Sequence, residues 1–369
     1  MTTVDAGNFS SLFRQAFNNS DGQSLVELLN PKRFVIKGGK LPSGSVPIHE
    51  FLVDFVNFHS SRLSSQGLES LCSGFRKFVE IAEEPFLLPV VRRLAAALRE
   101  EASAMEQPMK WTKKVLEVLR ESFPKFHRDP DKFEATVGIA TEIIRACLRL
   151  DQPSLCVPVI NTIAPTGRID TDRLSVSVAC TLFAYWSKVL ILKKDIKGAT
   201  ERLEWAASHC GANRNYHKLL EYLVPCKITQ GSMPSKELLV RAGLDEYLGI
   251  CRAIRAGNVR LFVLEFEKHF ESFVKAGTVL VVERLKLLCW RTFFKRVIEI
   301  ADPDGTFKVD LHVLQEVWRQ HTGQGEKSFF SLLSHLITIG ALKGYMSLEH
   351  QKLVLSKADP YPKSDSWSW

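Results

Sequence analysis

The residue patterns that most often carry catalysis or metal binding are incomplete in this chain. The sequence contains no HExxH, GxSxG or GxxxxGK[ST] motif, and its nearest likeness to a phosphate loop, GQGEKS at residues 323–328, lacks the glycine before lysine. The run DPDG at residues 302–305 has too few acidic positions for a calcium loop. His209, Cys210 and His217 match no zinc spacing. We therefore expect no catalytic residue, no metal site and no cofactor.

Basic residues near the C-terminal end are the remaining candidates for a functional surface. Arg284, Arg291 and Lys295 recur at i, i+7 and i+11, which places them in one stripe of a predicted helix. A predicted hairpin further along carries four more candidates, Lys343, His350, Lys352 and Lys357. Such groups could neutralise the phosphates of a nucleic acid without reading its bases. The same pattern also fits a solvated charged face or a surface for an acidic protein.

The positive charge of the chain is concentrated in its second half. The 369 residues carry a formal charge of +8; residues 1–184 contain 22 Lys and Arg against 21 Asp and Glu, whereas residues 185–369 contain 27 against 20, a net +7. This imbalance favours an acidic partner, which could be nucleic acid, an anionic membrane or an acidic protein. With 45% hydrophobic and 24% charged residues, the composition is that of a folded globular protein.

The cysteine spacing and the N-terminal sequence indicate the cellular compartment of the protein. The eight cysteines include no CxxC pair, so we interpret them as buried thiols in a reducing environment. Residues 1–10 are polar and include Asp5, unlike a secretory signal. An uncharged stretch such as residues 175–187 falls short of the about 20 apolar residues that a membrane span needs. We expect a soluble intracellular protein without membrane insertion.

Apolar residues recur at helical spacing almost everywhere before residue 300. The breaks between the predicted helices fall at Pro31, Pro85, Pro124, Pro130, Pro153, Pro165, Gly211 and Pro234. This layout predicts stacked helical hairpins without a fixed repeat period, in other words an irregular solenoid. Residues 32–47, rich in Gly, Pro and Lys, predict a flexible loop. We assign N-terminal helical repeats to residues 1–170 and a second helical part to residues 171–300.

The last two helices of the predicted solenoid have clear boundaries. Asn258 can cap a helix that Gly277 ends. Its four phenylalanines, Phe262, Phe266, Phe270 and Phe273, fall at i, i+4, i+8 and i+11, which predicts a buried helix face. Thr278 then starts a second long helix that runs to about residue 300.

A different pattern begins after residue 305. Asp310 can cap a helix over residues 311–320, a turn follows at 323–325, and a second helix covers 326–339. Two extended runs, residues 341–347 and 352–356, then form a hairpin signature. Helix, turn, helix and hairpin in this order predict a winged helix over residues 301–358, followed by a tail at 359–369. The fold class is therefore all-α dominated, a helical-repeat solenoid ending in a winged helix with a small β-hairpin wing.

Three blocks of sequence resemble the PCI domain family. They are YLVPCKITQGSMP at residues 222–234, the segment from AGNV at 256–259 to FKR at 294–296, and GALKGYMSLEHQKLVLSK at 340–357. Within the family they look most like the PCI-domain-containing protein 2 type, the PCI subunit of transcription and export complex 2, which is also grouped with the signalosome subunit 12 type. The resemblance covers roughly residues 150–362, and the first 150 residues match nothing beyond helical character.

The resemblance implies a tetratricopeptide-like solenoid on which the winged helix packs, and no catalysis. It also implies a large export-complex scaffold subunit with its own PCI-like domain as a partner, and a small acidic subunit shared with the proteasome lid. Two adjacent winged helices in such complexes form a basic platform for RNA or DNA. Carried onto this chain, the contact residues would be Arg284, Arg291, Lys295, Lys343, His350, Lys352 and Lys357.

Two functions stay open at this point. The first is a non-catalytic scaffold subunit of a nuclear mRNA export complex that binds RNA or DNA, located in the nucleus and at nuclear pores, with a cytoplasmic pool. The second is a PCI scaffold subunit of a signalosome or proteasome-lid-like complex that acts only through protein contacts, so that the same basic face would meet an acidic protein.

Overall fold

The computed structural model describes residues 2–31, 33–37, 41, 46–211, 214–323 and 325–367. The chain divides into two compact units, Met1–Val189 and Leu190–Trp369. Both consist mainly of helices, and the second also contains a small antiparallel sheet close to its C-terminal end. The predicted fold class, a helical repeat that ends in a winged helix, is confirmed. The domain boundaries at residues 170, 300 and 358 stay predictions.

The first unit starts with a short parallel pair of strands and continues in helices. Its elements are β1 (Thr2–Asp5), α1 (Ala6–Asn18), α2 (Gly22–Leu28), β2 (Phe34–Lys37), α3 (Val46–Ser60), α4 (Ser65–Ile81), α5 (Leu88–Ala104), α6 (Pro108–His127), α7 (Phe133–Arg149), α8 (Cys156–Ile163) and α9 (Val176–Leu192), which crosses into the second unit. In β1 and β2, Thr3 lies opposite Val35. The predicted loop at residues 32–47 is therefore wrong for 34–37, which form β2, and for 46–47, which begin α3. Residues 32, 38–40 and 42–45 lie outside the described part.

The ion pairs between α4 and α6 recur at a constant sequence separation. The spacing of the apolar residues does not show this regularity. Three pairs join these helices, each between residues 45 positions apart: Glu69 with Lys114 (2.6 Å), Arg76 with Glu121 (2.8 Å), and Glu80 with Lys125 (3.6 Å). A constant offset along both helices requires that they run parallel in a fixed register. The first unit thus has a locally regular helical repeat, although its sequence shows no fixed period.

Pro124 does not break a helix, contrary to the sequence-based expectation. It lies in the last turn of α6. A proline there removes one backbone hydrogen bond, and the burial of Ser122 and Phe126 on the same helix keeps the turn in place. By contrast, Pro85 and Pro130 open short 3-10 turns in front of α5 and α7, so these two prolines do mark breaks as predicted.

The second unit is helical up to residue 301 and then mixed. Its elements are α10 (Ile196–His209), α11 (Arg214–Thr229), α12 (Lys236–Arg241), α13 (Glu246–Ala256), α14 (Val259–Lys268), α15 (Phe270–Ala276), α16 (Val279–Ala301), β3 (Lys308–Asp310), α17 (Leu311–Thr322), α18 (Glu326–Thr338), β4 (Gly344–Ser347) and β5 (Lys352–Leu355). Buried residues from α11 to β5 form one hydrophobic core.

The predicted helix from Asn258 to Gly277 is two helices. Asn258 caps α14 by accepting from the backbone N–H of Leu261, but His269 (φ −108°, ψ 11°) separates α14 from α15. The helix is interrupted there, and the four phenylalanines are not equally buried. Phe262 and Phe273 are buried, whereas Phe270 is 46% exposed. The prediction of a continuous buried phenylalanine stripe is wrong in this respect.

The winged helix follows its sequence pattern closely. Asp310 accepts from the backbone N–H of His312 at the start of α17, and Gly323, with φ 71°, ends that helix in the left-handed conformation. The wing strands β4 and β5 pair antiparallel, with Met346 opposite Leu353. A third strand, β3, pairs with the other edge of β5 and was missed, because three residues are too few for a strand pattern.

Candidate nucleic-acid and partner-protein interface

Aromatic side chains join α16 to the winged helix. The ring centres of Trp290 on α16 and Trp318 on α17 lie 4.6 Å apart. Those of Phe294 on α16 and Phe329 on α18 lie 6.2 Å apart. All four are buried, and pairs of this kind add about 0.5–1.5 kcal/mol each beyond their burial. The winged helix therefore packs on the preceding helices through a continuous core, as the family resemblance implies.

Arg260 makes a second, polar connection between these parts. Its Nε donates to the backbone carbonyl of His321 at 2.5 Å, and its Nη2 donates to that of Gln320 at 2.9 Å. Because a positive charge near a helix C-terminus is favourable, Arg260 stabilises the last turn of α17. Burial, with a smaller contribution from the Arg260 charge, lowers the pKa of His321.

The four predicted wing residues are all exposed. Lys352 is the first residue of β5 and lies opposite both Ser347 on β4 and Asp310 on β3. Within the part of the chain that the structure describes, His350, Lys352 and Lys357 make no ion pair. Lys343 pairs with Asp359 at 3.3 Å, but both side chains are more than half exposed, so the pair contributes about 0–1 kcal/mol.

The predicted stripe on α16 is not an open row of charges, because the C-terminal tail covers part of it. Nη2 of Arg291 donates to the backbone carbonyls of Tyr361 (2.8 Å) and Pro362 (3.2 Å). Lys295 lies 5.6 Å from the Tyr361 ring centre. Burial lowers the pKa of Arg291 and raises that of Tyr361 to about 12. Arg291 is thus engaged in holding the tail, and we leave it out of the proposed nucleic-acid surface.

Arg284, at the other end of the stripe, has a different environment. It is half-buried, and its Nη1 is buried without a hydrogen-bond partner among the described residues. It borders a groove lined by Leu280, Leu287 and Trp290, far along α16 from Lys295. The structure therefore does not bring the three stripe residues together on one accessible surface.

The second helix of the helix-turn-helix, α18, offers little positive charge for a duplex groove. Its exposed side chains include Ser328, Ser331 and Ser334, and its one lysine, Lys327, follows Glu326. Readers of the major groove usually place arginine, asparagine or glutamine on this helix. The exposed side chains of α18 therefore offer little for base recognition in a duplex groove.

A basic groove on the helical part was missed by the sequence analysis. Pro234, Leu239, Leu248, Cys251 and Ala256 line a groove of about 410 Å³ together with four cations, Lys236, Arg252, Arg255 and Arg296. Two of the arginines are held in place: Arg255 donates to the carbonyl of Pro234 (3.0 Å), and Arg296 to that of Arg255 (2.8 Å). The only local signal was the i, i+3 spacing of Arg252 and Arg255, because the other cations come from distant elements.

The described residues hold neither a metal site nor a membrane span. No group of three or more His, Cys, Asp or Glu residues there is arranged to hold a metal ion. His209 instead stacks on Trp205, with ring centres 4.0 Å apart. No helix in the same part of the chain has the length and apolar character that a membrane crossing requires.

The fold and its charges define a class of protein: a helical scaffold that ends in a winged helix with a basic wing. No model of a known protein family matches the chain. It is 27% identical to PCI domain-containing protein 2 of Danio rerio over 317 residues, covering 80% of this chain and 78% of the relative. It is also 27% identical to a PCI domain-containing protein 2 homolog of Drosophila melanogaster (78% and 75% covered) and to a protein CSN12 homolog of Schizosaccharomyces pombe (61% and 54%).

These likenesses and the winged helix confirm the resemblance to the PCI domain family, and within it to the PCI-domain-containing protein 2 type. The likeness over 80% of the chain is longer than the segment from residue 150 to the end, so it extends into the first 150 residues. The sequence patterns of that segment indicate only helical character. Likeness to these relatives supports a scaffold subunit of a PCI complex.

Proposed function

We propose that this chain is a non-catalytic scaffold subunit of a nuclear mRNA export complex of the transcription and export complex 2 type, and that its wing contacts RNA or DNA. Its partners would be a large scaffold subunit with its own PCI-like domain and a small acidic subunit shared with the proteasome lid. Its location would be the nucleus, including nuclear pores, with a cytoplasmic pool. Likeness to PCI domain-containing protein 2 over four fifths of the chain supports the complex.

The proposal that this chain binds nucleic acid rests on the positive charge of the wing. Lys352 and Lys357 are exposed and make no ion pair within the described residues, and the exposed pair of Lys343 with Asp359 is weak enough to be exchanged for a phosphate. The wing is held by the core that α16 shares with α17 and α18. A rigid support lets several weak phosphate contacts act together, which gives sequence-tolerant binding that is sensitive to salt.

The experiment is a charge reversal of the wing in the full chain. The triple variant Lys343→Glu, Lys352→Glu and Lys357→Glu should bind single-stranded RNA more weakly. The slope of log affinity against log salt should shrink by about 0.7 for each phosphate that the variant no longer neutralises. The matched control is Lys110→Glu, Lys113→Glu and Lys125→Glu, which makes the same charge change on exposed positions of α6. Equal affinities and slopes for the two triple variants would remove the wing from the binding site.

A second candidate is a scaffold subunit of a signalosome or proteasome-lid-like complex that acts only through protein contacts. Likeness to a relative named a CSN12 homolog favours it. Affinity purification followed by mass spectrometry separates the two functions. Recovery of the large export scaffold supports the first, whereas recovery of signalosome subunits without export factors supports the second. A tagged chain that is excluded from the nucleus would also contradict the export role.

A further inference from the structure

An apolar groove lies on the second unit, separate from the wing and from the basic groove. It has a volume of about 550 Å³ and is lined by the end of α9, the N-terminal half of α16 and Leu332 of α18. Leu280 is 57% exposed and Leu192 is 45% exposed, and Leu287 and Leu332 are only partly buried. Covering exposed leucine surface with apolar atoms releases about 25 cal/mol per Å². Grouped in one groove, these leucines mark a binding surface.

The charged residues around the apolar groove indicate the charge of the ligand it would bind. Lys194, Arg284 and Lys286 line it, and among the described lining residues Glu283 supplies the single carboxylate. Arg284 Nη1 is buried and finds no acceptor among the described residues. A guanidinium N–H that is kept from water without an acceptor is unfavourable, and a carboxylate offered by a ligand would remove that penalty. The groove is therefore complementary to an apolar side chain that has an acidic neighbour.

We propose that the apolar groove binds an amphipathic segment of another protein, whose leucine-like side chains cover Leu280 and Leu192 and whose carboxylate pairs with Arg284. Nucleic acid fits this surface less well. Trp290, the only aromatic residue among the described residues that line the groove, is 7% exposed and leaves no face for a base to stack on. This inference rests on the proposed scaffold role and is independent of nucleic-acid binding by the wing.

The test uses the full chain in its assembled complex. Leu280 is replaced by photoreactive benzoylphenylalanine, and the peptides that crosslink on illumination are sequenced by mass spectrometry. We expect a peptide of another protein in which Asp or Glu stands three or four residues from an apolar side chain, the spacing of one helix face. The same probe at Ile300, which is 81% exposed at the far end of α16, is the positional control and should not capture that peptide.

Charge exchange makes the result specific. Arg284→Glu should reduce the crosslink yield at position 280 by about tenfold or more, the usual loss when a buried charge pair is opposed. Replacing the acidic residue of the captured peptide by Arg should restore it. Thermal unfolding of Arg284→Glu and of the milder Arg284→Gln shows whether either variant still folds. If only Arg284→Gln folds, its crosslink yield at position 280 tests the inference, and we expect that yield to be lower than the yield of the unmodified Arg284 chain.

Several outcomes would overturn the inference. They are crosslinks only to a second copy of this chain, to nucleic acid or to a basic segment, no crosslink at all, or a yield that Arg284→Glu and Arg284→Gln leave unchanged. Failure of the scaffold role looks different, since no subunit would then co-purify with the unmodified chain. Failure of the nucleic-acid role is also distinct, because the wing triple variant should retain the crosslink at position 280.

Discussion

The guanidinium of Arg291 donates to the backbone carbonyl of Tyr361 at 2.8 Å, a contact between residues 70 positions apart. It fixes the C-terminal tail against α16, and two further contacts support it. Asp359 pairs with Lys343, and the Lys343 backbone N–H donates to the carbonyl of Pro360 at 3.0 Å. The described part of the tail thus packs as part of the second unit. It bonds two cations, Arg291 and Lys343, that the sequence alone would leave available to a ligand.

Burial of Trp367 predicts that the tail stabilises the second unit. Its ring is 6% exposed, and its Nε1 donates to the carbonyl of Pro362 at 3.2 Å. Trp367→Ala should lower the free energy of unfolding by about 3–5 kcal/mol, the usual cost of truncating a buried tryptophan. Urea unfolding followed by hydrogen exchange in the second unit measures the change. Tyr345→Ala, at a position 61% exposed, is the control and should cost less than about 1 kcal/mol.

Gly257 and Gly305 predict different costs for the same substitution. Both have a positive φ, 66° and 65°. A Cβ on Gly257 would lie 2.7 Å from the backbone N of Phe293, whereas one on Gly305 would meet nothing within 4 Å. Gly305→Ala should therefore cost only the left-handed strain, about 1–2 kcal/mol, and Gly257→Ala clearly more. Equal losses in thermal unfolding would show that α13 and α16 can move apart at Gly257 without penalty.

His59 predicts acid sensitivity of the first unit. Burial, with a smaller effect of the nearby Arg62 charge, lowers its pKa to about 4 from the usual 6.5. The unfolded chain therefore binds the proton more readily than the folded chain, so stability falls as the pH drops from about 6.5 toward 4, by up to about 3 kcal/mol. His59→Leu should flatten this part of the profile in urea unfolding at pH 7.5 and pH 5. An unchanged pH dependence would show that another group dominates.

Removing the charge of two carboxylates in the first unit should change the free energy of unfolding by very different amounts. Glu142 is 8% exposed and bonds Arg99 (2.5 Å) and Arg145 (2.9 Å), whereas Glu69 is 54% exposed in its pair with Lys114. Glu142→Gln should lower the free energy of unfolding by about 3 kcal/mol, because it removes a buried negative charge that lies between two half-buried guanidinium groups. Glu69→Gln should have a much smaller effect, because water screens its exposed pair. Chemical unfolding of both variants tests this. Similar losses would mean that solvent reaches Glu142 in the folded chain.

Much of the fold could be predicted because its signals are local. Asp310, Gly323 and the apolar spacing of α17 and α18 act within about four residues of their own position, so these two helices were predicted to within a few residues of their ends. The errors have nonlocal causes. Pro124 stays helical because of tertiary burial around it, and the helix after Asn258 breaks at His269 although its phenylalanine spacing is regular.

The sequence by itself determined the class of protein, the order of the helices and wing strands in the winged helix, and the concentration of positive charge in the second half of the chain. Only the tertiary structure decided which of those charges are free. It engages Arg291 with the tail, places Arg284 at an apolar groove, and joins Lys236, Arg252, Arg255 and Arg296 into a basic groove. The physical reason is that helix formation depends on near neighbours, whereas the solvation and pairing of a cation depend on residues that only packing brings beside it.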